Sequence, residues 1–375
     1  MTTPRFLQIH TLTSYTAALI NRDDSGLAKR LPYGGALRTR ISSQCLKRHW
    51  RLAEDPHALH AIDGAEAAFR SRELVTKKVI EPLIKAGVIA VDVITAIEPE
   101  FQMALYGEKG TTKRGRQTLL FSETELKWLA AEALRIATKA EGDAKAAKGL
   151  AEEWRKELKG SLAAMKHAAS LPGGITSALF GRMVTSDPEA NITAPVHVAH
   201  SFTVHEEESE SDYFTAVDDL SGDEPGADTI QECELTSGLF YGYVVVDIPG
   251  LLANLGGDTA LAGSVLHNLV HLIAEVTPGA KLGSTAPYGR AGMLLLEAGD
   301  RQPRSLAEAF RTPCKPHLSD AASALADQLQ RLDTAYATGE NRRVLTLVNT
   351  PVPSAKPGSL KDLTLWAQAL PGQLP

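Results

Sequence analysis

A run of basic side chains from Lys29 to Arg51 is the strongest chemical signal in this sequence. The segment holds seven Lys or Arg residues and no Asp or Glu. If Ser42 or Ser43 caps a helix, four residues spaced i, i+3, i+4 and i+7 share one helical face: Gln44, Lys47, Arg48 and Arg51. The N–H groups at a helix N-terminus attract anions, and these cations extend along the helix axis. The pattern therefore predicts a surface that binds a row of phosphates.

The charge of this segment contrasts with that of the remaining chain. The full sequence has formal net charge −6, and the segment contributes +7, so the other residues carry about −13. The alternative interpretation is the solvated basic face of an ordinary amphipathic helix. The contrast favours a binding surface, because a polyanion attracted to this chain has one basic segment to approach.

Asp23 and Asp24 are the carboxylate pair beside this predicted surface. They lie in a turn-forming stretch, Ile20 to Gly26, in which Arg22 is an outward cation. As catalytic groups, they could position a metal ion or a ribose hydroxyl for phosphodiester cleavage. As structural groups, they would accept hydrogen bonds from N–H groups of the loop, which is the more frequent role of Asp in turns.

Histidines at helical spacing are the candidate metal ligands. His267, His271 and Glu275 follow at four-residue intervals, so they could face one ion. Their apolar neighbours instead predict a core helix, and no Glu follows His267 as it does in zinc protease motifs. His197 and His200 do not lie on a helix that would let both bind one ion. With no nucleophile, dinucleotide or Cys–His signature present, we predict no metal site, no cofactor and no catalytic residue.

Composition is typical of a globular protein. The 375 residues are 43% hydrophobic and 22% charged, which suits one large or two modest domains. The sequence has no apolar run long enough to cross a membrane and no signal-peptide pattern at its start. The three cysteines are too scattered for a disulfide framework. We therefore expect a cytoplasmic protein.

Hydrophobic periodicity predicts the elements that position the basic segment. Alternation predicts strands at residues 6–12, 175–186, 196–204, 240–248, 292–297 and 344–348. A 3.6-residue repeat predicts helices in a block from about 58 to 169 and at 259–275, 318–336 and 360–370. The acidic stretch 205–235 predicts a long hairpin or, alternatively, a disordered acidic loop.

Two local motifs lie within the helical block. Ser122 and Glu125 have the spacing of a capping box. The basic loop from Gly107 to Arg116 has glycines spaced as in a phosphate loop, but Arg116 and Gln117 replace the Lys and Ser or Thr that should follow. We interpret this stretch as a surface loop. Weak, non-specific contact with duplex DNA is a hypothesis for it.

The order of the elements predicts the fold class. Strand, basic helix, strand, acidic excursion, strand, helix and strand follow one another along the chain. This order is typical of an α+β fold with a ferredoxin-like core, interrupted here by the helical block and the acidic excursion.

The sequence resembles the CasC family, the backbone subunits of the type I-E CRISPR surveillance complex Cascade. The matching motifs, in chain order, are Ile20–Asp24, Tyr33–Gly35, Arg38–Gln44, Lys47–Arg48, Gly181–Met183, Phe214–Leu220, Ser237–Tyr241 and Pro278–Lys281. They span most of the chain. The likeness is weakest in the helical block and in the C-terminal quarter.

The resemblance implies a specific α+β architecture. Members of the family have a ferredoxin-like, RNA-recognition-type palm, a helical fingers insertion and an extended β-hairpin thumb. Carried over to this sequence, the palm comprises residues 1–57, a palm strand at 175–196, and residues 239–375. The fingers occupy 58–174 and the thumb 197–238.

The resemblance also implies a function without catalysis. Copies of such a subunit stack head to tail along CRISPR RNA with other Cascade subunits, and the guide pairs with target DNA; no membrane is involved. The residues expected to bind RNA are Asn21, Arg22, Lys29, Arg40, Ser42, Gln44, Lys47, Arg48, Arg51, Arg182, Met183, Phe214, Thr215 and Val217. Among these, Met183 matches a residue that wedges against bases, and Phe214 and Thr215 are expected to reach the RNA. An RNA endonuclease that uses Asp23 or Asp24, and a stand-alone protein that binds single-stranded RNA, are the alternatives.

Overall fold

The computed structural model describes residues 4–157, 171–217, 227–279 and 282–374. Its strands are β1 (Phe6–Ala18), β2 (Arg30–Tyr33), β3 (Ala36–Ile41), β4 (Ala68–Ser71), β5 (Leu119–Ser122), β6 (Val196–Val198), β7 (Ser201–Thr203), β8 (Glu208–Val217), β9 (Ala227–Asp247), β10 (Ala291–Gly299), β11 (Asn341–Thr346) and β12 (Ala355–Pro357). Its α-helices are α1 (Ser43–Arg51), α2 (Glu81–Ala86), α3 (Val91–Tyr106), α4 (Glu123–Lys139), α5 (Ala144–Glu157), α6 (Gly174–Phe180), α7 (Ile248–Asn254), α8 (Thr259–Glu275), α9 (Leu282–Thr285), α10 (Leu318–Tyr336) and α11 (Leu360–Gln368). In these ranges, no helix is both long and apolar enough to cross a membrane.

The chain folds into two compact units. The first, which we call the sheet unit, comprises Met1–Ala58, Val196–Pro249 and Ala262–Pro375. The second, which we call the helical unit, comprises Leu59–Pro195 and Gly250–Leu261. The basic segment and the acidic stretch both belong to the sheet unit, whereas α2 to α6 belong to the helical unit.

One sheet organises the first unit. Its strand order is β12-β11-β10-β1-β9-β7-β3-β2, and β6 and β8 also pair with β9. β1 is longer than the predicted strand at 6–12, and it runs antiparallel to both β10 and β9. Side chains on both faces of β1 are buried: Leu12 packs in a cluster with Leu325 of α10, and Tyr15 packs in a cluster with Leu46 of α1. The basic helix is therefore attached to a central strand of the sheet.

The acidic stretch forms the predicted hairpin. β8 and β9 pair antiparallel from Glu208 opposite Ser237 to Val217 opposite Ala227. The prediction of a hairpin is confirmed, and the alternative of a disordered loop is wrong for the described residues. Residues 218–226, which include the end of the Phe214–Leu220 motif, lie outside the described part of the chain.

The predicted strand at 175–186 is wrong. Residues Gly174–Phe180 form α6 instead, with Ile175, Ala178 and Leu179 buried at helical spacing. A short apolar run fits either a buried strand or a helix turn, so periodicity alone does not decide between them. Gly181 ends the helix with a φ of +76°, a conformation that favours glycine.

Two smaller corrections concern predicted elements. Residues 68–71, assigned to a helix from the sequence, form β4 and pair with β5. The predicted strand at 196–204 is two short strands, β6 and β7, with Ala199 and His200 between them. The capping box is confirmed: the Glu125 N–H donates to Ser122 Oγ over 3.3 Å, and the Ser122 N–H donates to Glu125 Oε2 over 2.7 Å.

Candidate nucleic-acid interface

Ser42 and Asn21 fix the start of the basic helix α1. Ser42 is the N-cap, and its Oγ accepts a hydrogen bond from the Cys45 N–H over 3.3 Å. The Ser42 N–H donates to Asn21 Oδ1 over 2.8 Å, and the Lys29 N–H donates to the Asn21 carbonyl over 2.8 Å. Both predicted RNA-binding residues therefore have structural partners. Their described bonds join the loop after β1, the start of α1 and the residue before β2.

The two faces of α1 are confirmed. Trp50 is buried, and Cys45 and Leu46 pack against the apolar cluster of β1, β3 and β9. On the opposite face, the side chains form the predicted polar row: Gln44 and Arg48 are exposed, and Lys47 and Arg51 are partly exposed. Burial raises the pKa of the Cys45 thiol to about 11, so this cysteine is a neutral part of the core face.

His200 lies at the N-terminus of α1. Its Nδ1 accepts a hydrogen bond from the Ser43 N–H over 3.1 Å, and Arg40 Nη1 lies 3.4 Å from the same nitrogen. Burial lowers the pKa of His200, and the positive charges of Arg40 and Lys29 lower it further. The neutral imidazole therefore covers one of the N–H groups that were predicted to face an anion. Sequence reasoning considered His200 only as a metal ligand, because it is far from α1 along the chain.

The loop that carries Arg22 is held by Asp23. Asp23 Oδ1 accepts hydrogen bonds from the Ser25 N–H over 2.9 Å and the Leu27 N–H over 3.0 Å. Arg22 forms an isolated bridge with Ala28, and its side chain is exposed. These are the hydrogen bonds that were expected if Asp23 has a structural role in the loop and not a catalytic one. Asp24 is exposed.

Two cations of the basic segment have structural roles. Arg38 is fully buried and donates to the carbonyl oxygens of Thr203 and Phe310, each over 2.9 Å. Arg30 pairs with two carboxylates at the base of the hairpin, those of Glu207 and Glu234. Neither arginine was among the predicted RNA-binding residues. The cations that were predicted to bind RNA in this region are exposed or partly exposed: Arg22, Lys29, Arg40, Lys47, Arg48 and Arg51.

Gly34 allows this segment to pack closely. It occupies a turn with Gly35 between β2 and β3, with φ values of +62° and +80°. A Cβ atom on Gly34 would lie 1.5 Å from the carbonyl oxygen of Arg311, so only glycine fits there. The turn holds β3, and therefore the strand that leads into α1, against the sheet unit.

The hairpin presents aromatic side chains. Tyr213 is 62% exposed and Phe214 is 40% exposed. Adjacent residues of a strand point to opposite faces, so each face of β8 carries one ring. Thr215 and Val217 pair through their backbones with Ile230 and Ala227, respectively. Their side chains, which were predicted to contact RNA, lie outside the described part of the structure.

In the helical unit, Arg182 is buried and Met183 is exposed. The Arg182 guanidinium donates to Glu125 Oε1 over 2.5 Å and to the Ala190 carbonyl over 3.0 Å. Met183 is 65% exposed. Its carbonyl accepts a hydrogen bond from Gln117 Nε2 over 3.1 Å. The structure thus gives Arg182 a partner inside the protein, whereas Met183 is available to a ligand.

The basic loop from Gly107 to Arg116 is organised by its last residue. Arg116 is 9% exposed, and its Nε donates to the Gly110 carbonyl over 2.7 Å. Lys113 pairs with Glu73 over 3.0 Å. This geometry differs from a phosphate loop, in which backbone N–H groups surround the ligand.

Comparison with known proteins agrees with this architecture. The Cas family model described as CT1975-like protein matches residues 7–366. A chain of a structure described as "CRISPR RNA-guided surveillance complex, pre-nicking" superposes with a TM-score of 0.77 at 24% identity, over 97% of this chain and 100% of that chain. A chain of a second structure, "CRISPR RNA-guided surveillance complex", gives a TM-score of 0.60 at 20% identity, over 96% of this chain and 99% of that chain. No curated protein matches the sequence.

Proposed function

The chain belongs to the CT1975-like Cas family, and from this premise we propose that it is a non-catalytic, RNA-binding backbone subunit of a type I-E CRISPR surveillance complex. The observation that carries the proposal is the polar face of α1, where Gln44 and Arg48 are exposed and Lys47 and Arg51 are partly exposed. Cations arranged along a helix bind phosphates without reading bases. A guide carrier needs this property, because base pairing of the guide provides the sequence specificity.

The sheet unit supports the RNA-recognition-type palm. In its central part, the strand order is β10-β1-β9-β7. Along the chain, α1 lies between β1 and β7, and α8 lies between β9 and β10. A ferredoxin-like core has the same strand order and helix placement, which supports the proposed palm. On this proposal, the β8–β9 hairpin is the thumb, and α2 to α6 belong to the fingers. Residues 175–180, which were expected in a palm strand, form most of α6 in the helical unit and are therefore assigned to the fingers instead.

Two exposed apolar side chains have a separate role in the proposal. Met183 and Phe214 would contact bases, since an apolar or aromatic side chain accepts any base face. Copies that contact each other through two different surfaces would form an open helical array along the RNA. Target DNA would then pair with the guide, and other subunits of the complex would end the array.

The competing function is an RNA endonuclease that uses Asp23 or Asp24. Asp23 Oδ1 accepts two N–H groups of its own loop, which supports a structural role. Incubation of the assembled protein with complementary RNA and Mg²⁺ tests this function. Cleavage that disappears in Asp23→Ala or Asp24→Ala would replace our proposal with the enzyme.

The central test is the salt dependence of RNA binding by Lys47→Ala with Arg51→Ala. The slope of log K against log salt concentration is negative, and each lost phosphate contact on single-stranded RNA lowers its magnitude by about 0.7, so the double variant should lower the magnitude by about 1.4. Fluorescence anisotropy with a labelled single-stranded RNA measures this slope.

The matched control is Lys356→Ala with Lys361→Ala, which removes the same charge from exposed positions of the sheet unit. We expect the control to bind RNA with nearly the wild-type slope. Equal slopes for wild type and the α1 double variant would contradict the proposed role of α1.

A further inference from the structure

Three histidines and a glutamate meet on the surface of the sheet unit. His267, His271 and Glu275 follow each other along α8, and all three are partly exposed. Their neighbours Leu266, Leu269, Val270 and Leu272 are buried. The predicted core helix is therefore confirmed, but its histidines form a separate row on the other side. His57, from the segment after α1, completes the group.

The side chains of this histidine cluster are close together. The rings of His57 and His271 stack with centroids 3.6 Å apart and planes 4° from parallel. The His267 ring lies 4.9 Å from that of His271 and 5.6 Å from that of His57. Donor atoms of His57, His271 and Glu275 all lie within 4.8 Å of one another.

These separations are within reach of metal coordination. Ligand atoms of a tetrahedral Zn²⁺ site lie about 2.0–2.1 Å from the ion, and therefore about 3.4 Å from each other. The His57 and Glu275 side chains are 32% and 22% exposed, respectively, so small rotations can bring their donor atoms together. No movement of α8 is needed for this approach, because two of the ligands are one turn apart on the same helix.

Neighbouring oxygen atoms orient two of the imidazoles. Asp55 Oδ1 lies 3.3 Å from His57 Nδ1 and accepts the His57 backbone N–H over 2.8 Å. Asn268 Oδ1 lies 3.0 Å from His267 Nδ1. The Asn268 oxygen can only accept, so His267 Nδ1 carries the proton and His267 Nε2 carries the lone pair. The negative charge of Asp55 near His57 Nδ1 favours the same tautomer in His57. A carboxylate that holds the Nδ1–H of a histidine is the usual outer partner of a metal ligand.

His271 and Glu275 are already in contact with each other. His271 Nδ1 lies 3.3 Å from Glu275 Oε2. Arg290 lies 3.2 Å from Glu275 and is 81% exposed, so it can be displaced when the carboxylate binds an ion.

We propose that His57, His271 and Glu275 bind a divalent transition-metal ion such as Zn²⁺, with His267 as a fourth ligand. Imidazole nitrogens and a carboxylate oxygen suit Zn²⁺, Ni²⁺ and Co²⁺. A site with four protein ligands is closed and therefore structural. The ion would link α8 to the segment that follows the basic helix α1, because His57 lies in that segment. The arrangement stands on these side chains alone and is independent of RNA binding.

Titration of the metal-free full chain with Co²⁺, without RNA, tests the site. We expect the visible absorption bands of tetrahedral Co²⁺, without the near-ultraviolet band of a cobalt thiolate, and loss of these bands when Zn²⁺ is added. Zn²⁺ should also raise the Tm, because an ion that binds only the folded state stabilises it. Absence of the visible bands, or a Tm unaffected by Zn²⁺, would overturn the proposal.

Variants locate the ion. His271→Ala and His57→Ala should each abolish the bands, and Asp55→Asn should weaken affinity by about 10-fold to 100-fold, as is common for an outer partner. His317→Ala, at an exposed position of the same unit, is the matched control and should bind Co²⁺ normally. Because His57 lies outside any helix, its variant tests the site even if His271→Ala fails to fold. Full binding by His57→Ala would show that the ion binds elsewhere.

Discussion

The basic face of α1 and the Arg182–Met183 segment were both predicted to contact RNA, but they expose opposite chemical groups. On α1, Arg48 is exposed and the apolar Trp50 is buried. In the helical unit, Arg182 is 5% exposed and the apolar Met183 is 65% exposed. The basic residue is therefore the exposed one on α1, whereas the apolar residue is the exposed one at Arg182–Met183. A buried arginine such as Arg182 can position the exposed residue beside it without contacting RNA itself.

The partners of Arg182 explain this difference. Glu125 accepts hydrogen bonds from Ser122, Gly173 and Arg182, which satisfies a carboxylate that is fully buried. The guanidinium also lies over the Phe121 ring at 5.1 Å. A buried charge needs such a set of partners. Arg48 on α1 is exposed to solvent, so its charge does not need such a set of partners.

The largest expected effect is on the stability of the helical unit in Arg182→Leu. Removal of one partner from a buried ion pair leaves the other charge uncompensated, which costs about 3–5 kcal/mol. Arg48→Leu, the matched change on α1, should alter the free energy of unfolding by no more than about 0.5 kcal/mol. Urea denaturation of both variants measures the contrast. If Arg182→Leu and Arg48→Leu have the same free energy of unfolding, the buried arginine does not contribute more to stability than the exposed one.

The Glu125→Gln variant tests whether the loss of stability in Arg182→Leu comes from the unpaired charge of Glu125. In the double variant with Arg182→Leu, no unpaired buried charge remains, so the two losses should not add. A simple sum would show that the guanidinium stabilises the unit by packing and not by charge.

The second expected effect is on RNA geometry in Met183→Ala. The side chain is exposed, so its removal should change stability by no more than about 0.5 kcal/mol. If Met183 separates two bases in the assembled protein, these bases should stack again in Met183→Ala. A 2-aminopurine placed at the contacted step is bright when unstacked and should therefore become dimmer in this variant. Met183→Leu keeps the apolar volume and is the control. A bright signal in Met183→Ala would show that this residue does not separate bases.

The contrast also shows what the sequence can predict. The faces of α1 and the hairpin of β8 and β9 were predictable, because periodicity and alternation encode burial within a few residues. The burial of Arg182 was not, since it depends on Glu125, a residue 57 positions away. The helix α6 was mistaken for a strand because a short apolar run fits both.

The polar partners of the sites were also hidden from sequence reasoning. His200 and Ser43 are 157 positions apart, and His57 meets His271 only because α8 packs near the end of the basic segment. No local pattern marks either pair. Asp23 was the exception, since its hydrogen bonds stay within its own turn and turn chemistry predicted them.

The smallest expected effect is a pH dependence at the N-terminus of α1, caused by His200. The folded-state pKa of His200 lies below its ordinary value of 6.5, because burial, Arg40 and Lys29 disfavour the cation. The unfolded chain therefore binds this proton more tightly, and the stability contributed by the neutral ring is lost as the pH falls through the lowered pKa.

Protonated Nδ1 can no longer accept a hydrogen bond from the Ser43 N–H. The stability advantage of wild type over His200→Ala should therefore shrink between about pH 7.5 and about pH 5.5. The change should be less than about 0.5 kcal/mol, because His200 is exposed to solvent. Urea denaturation at both pH values, with His317→Ala as the control, measures this change. An advantage that stays constant with pH would show that the N-terminus of α1 does not depend on the neutral imidazole.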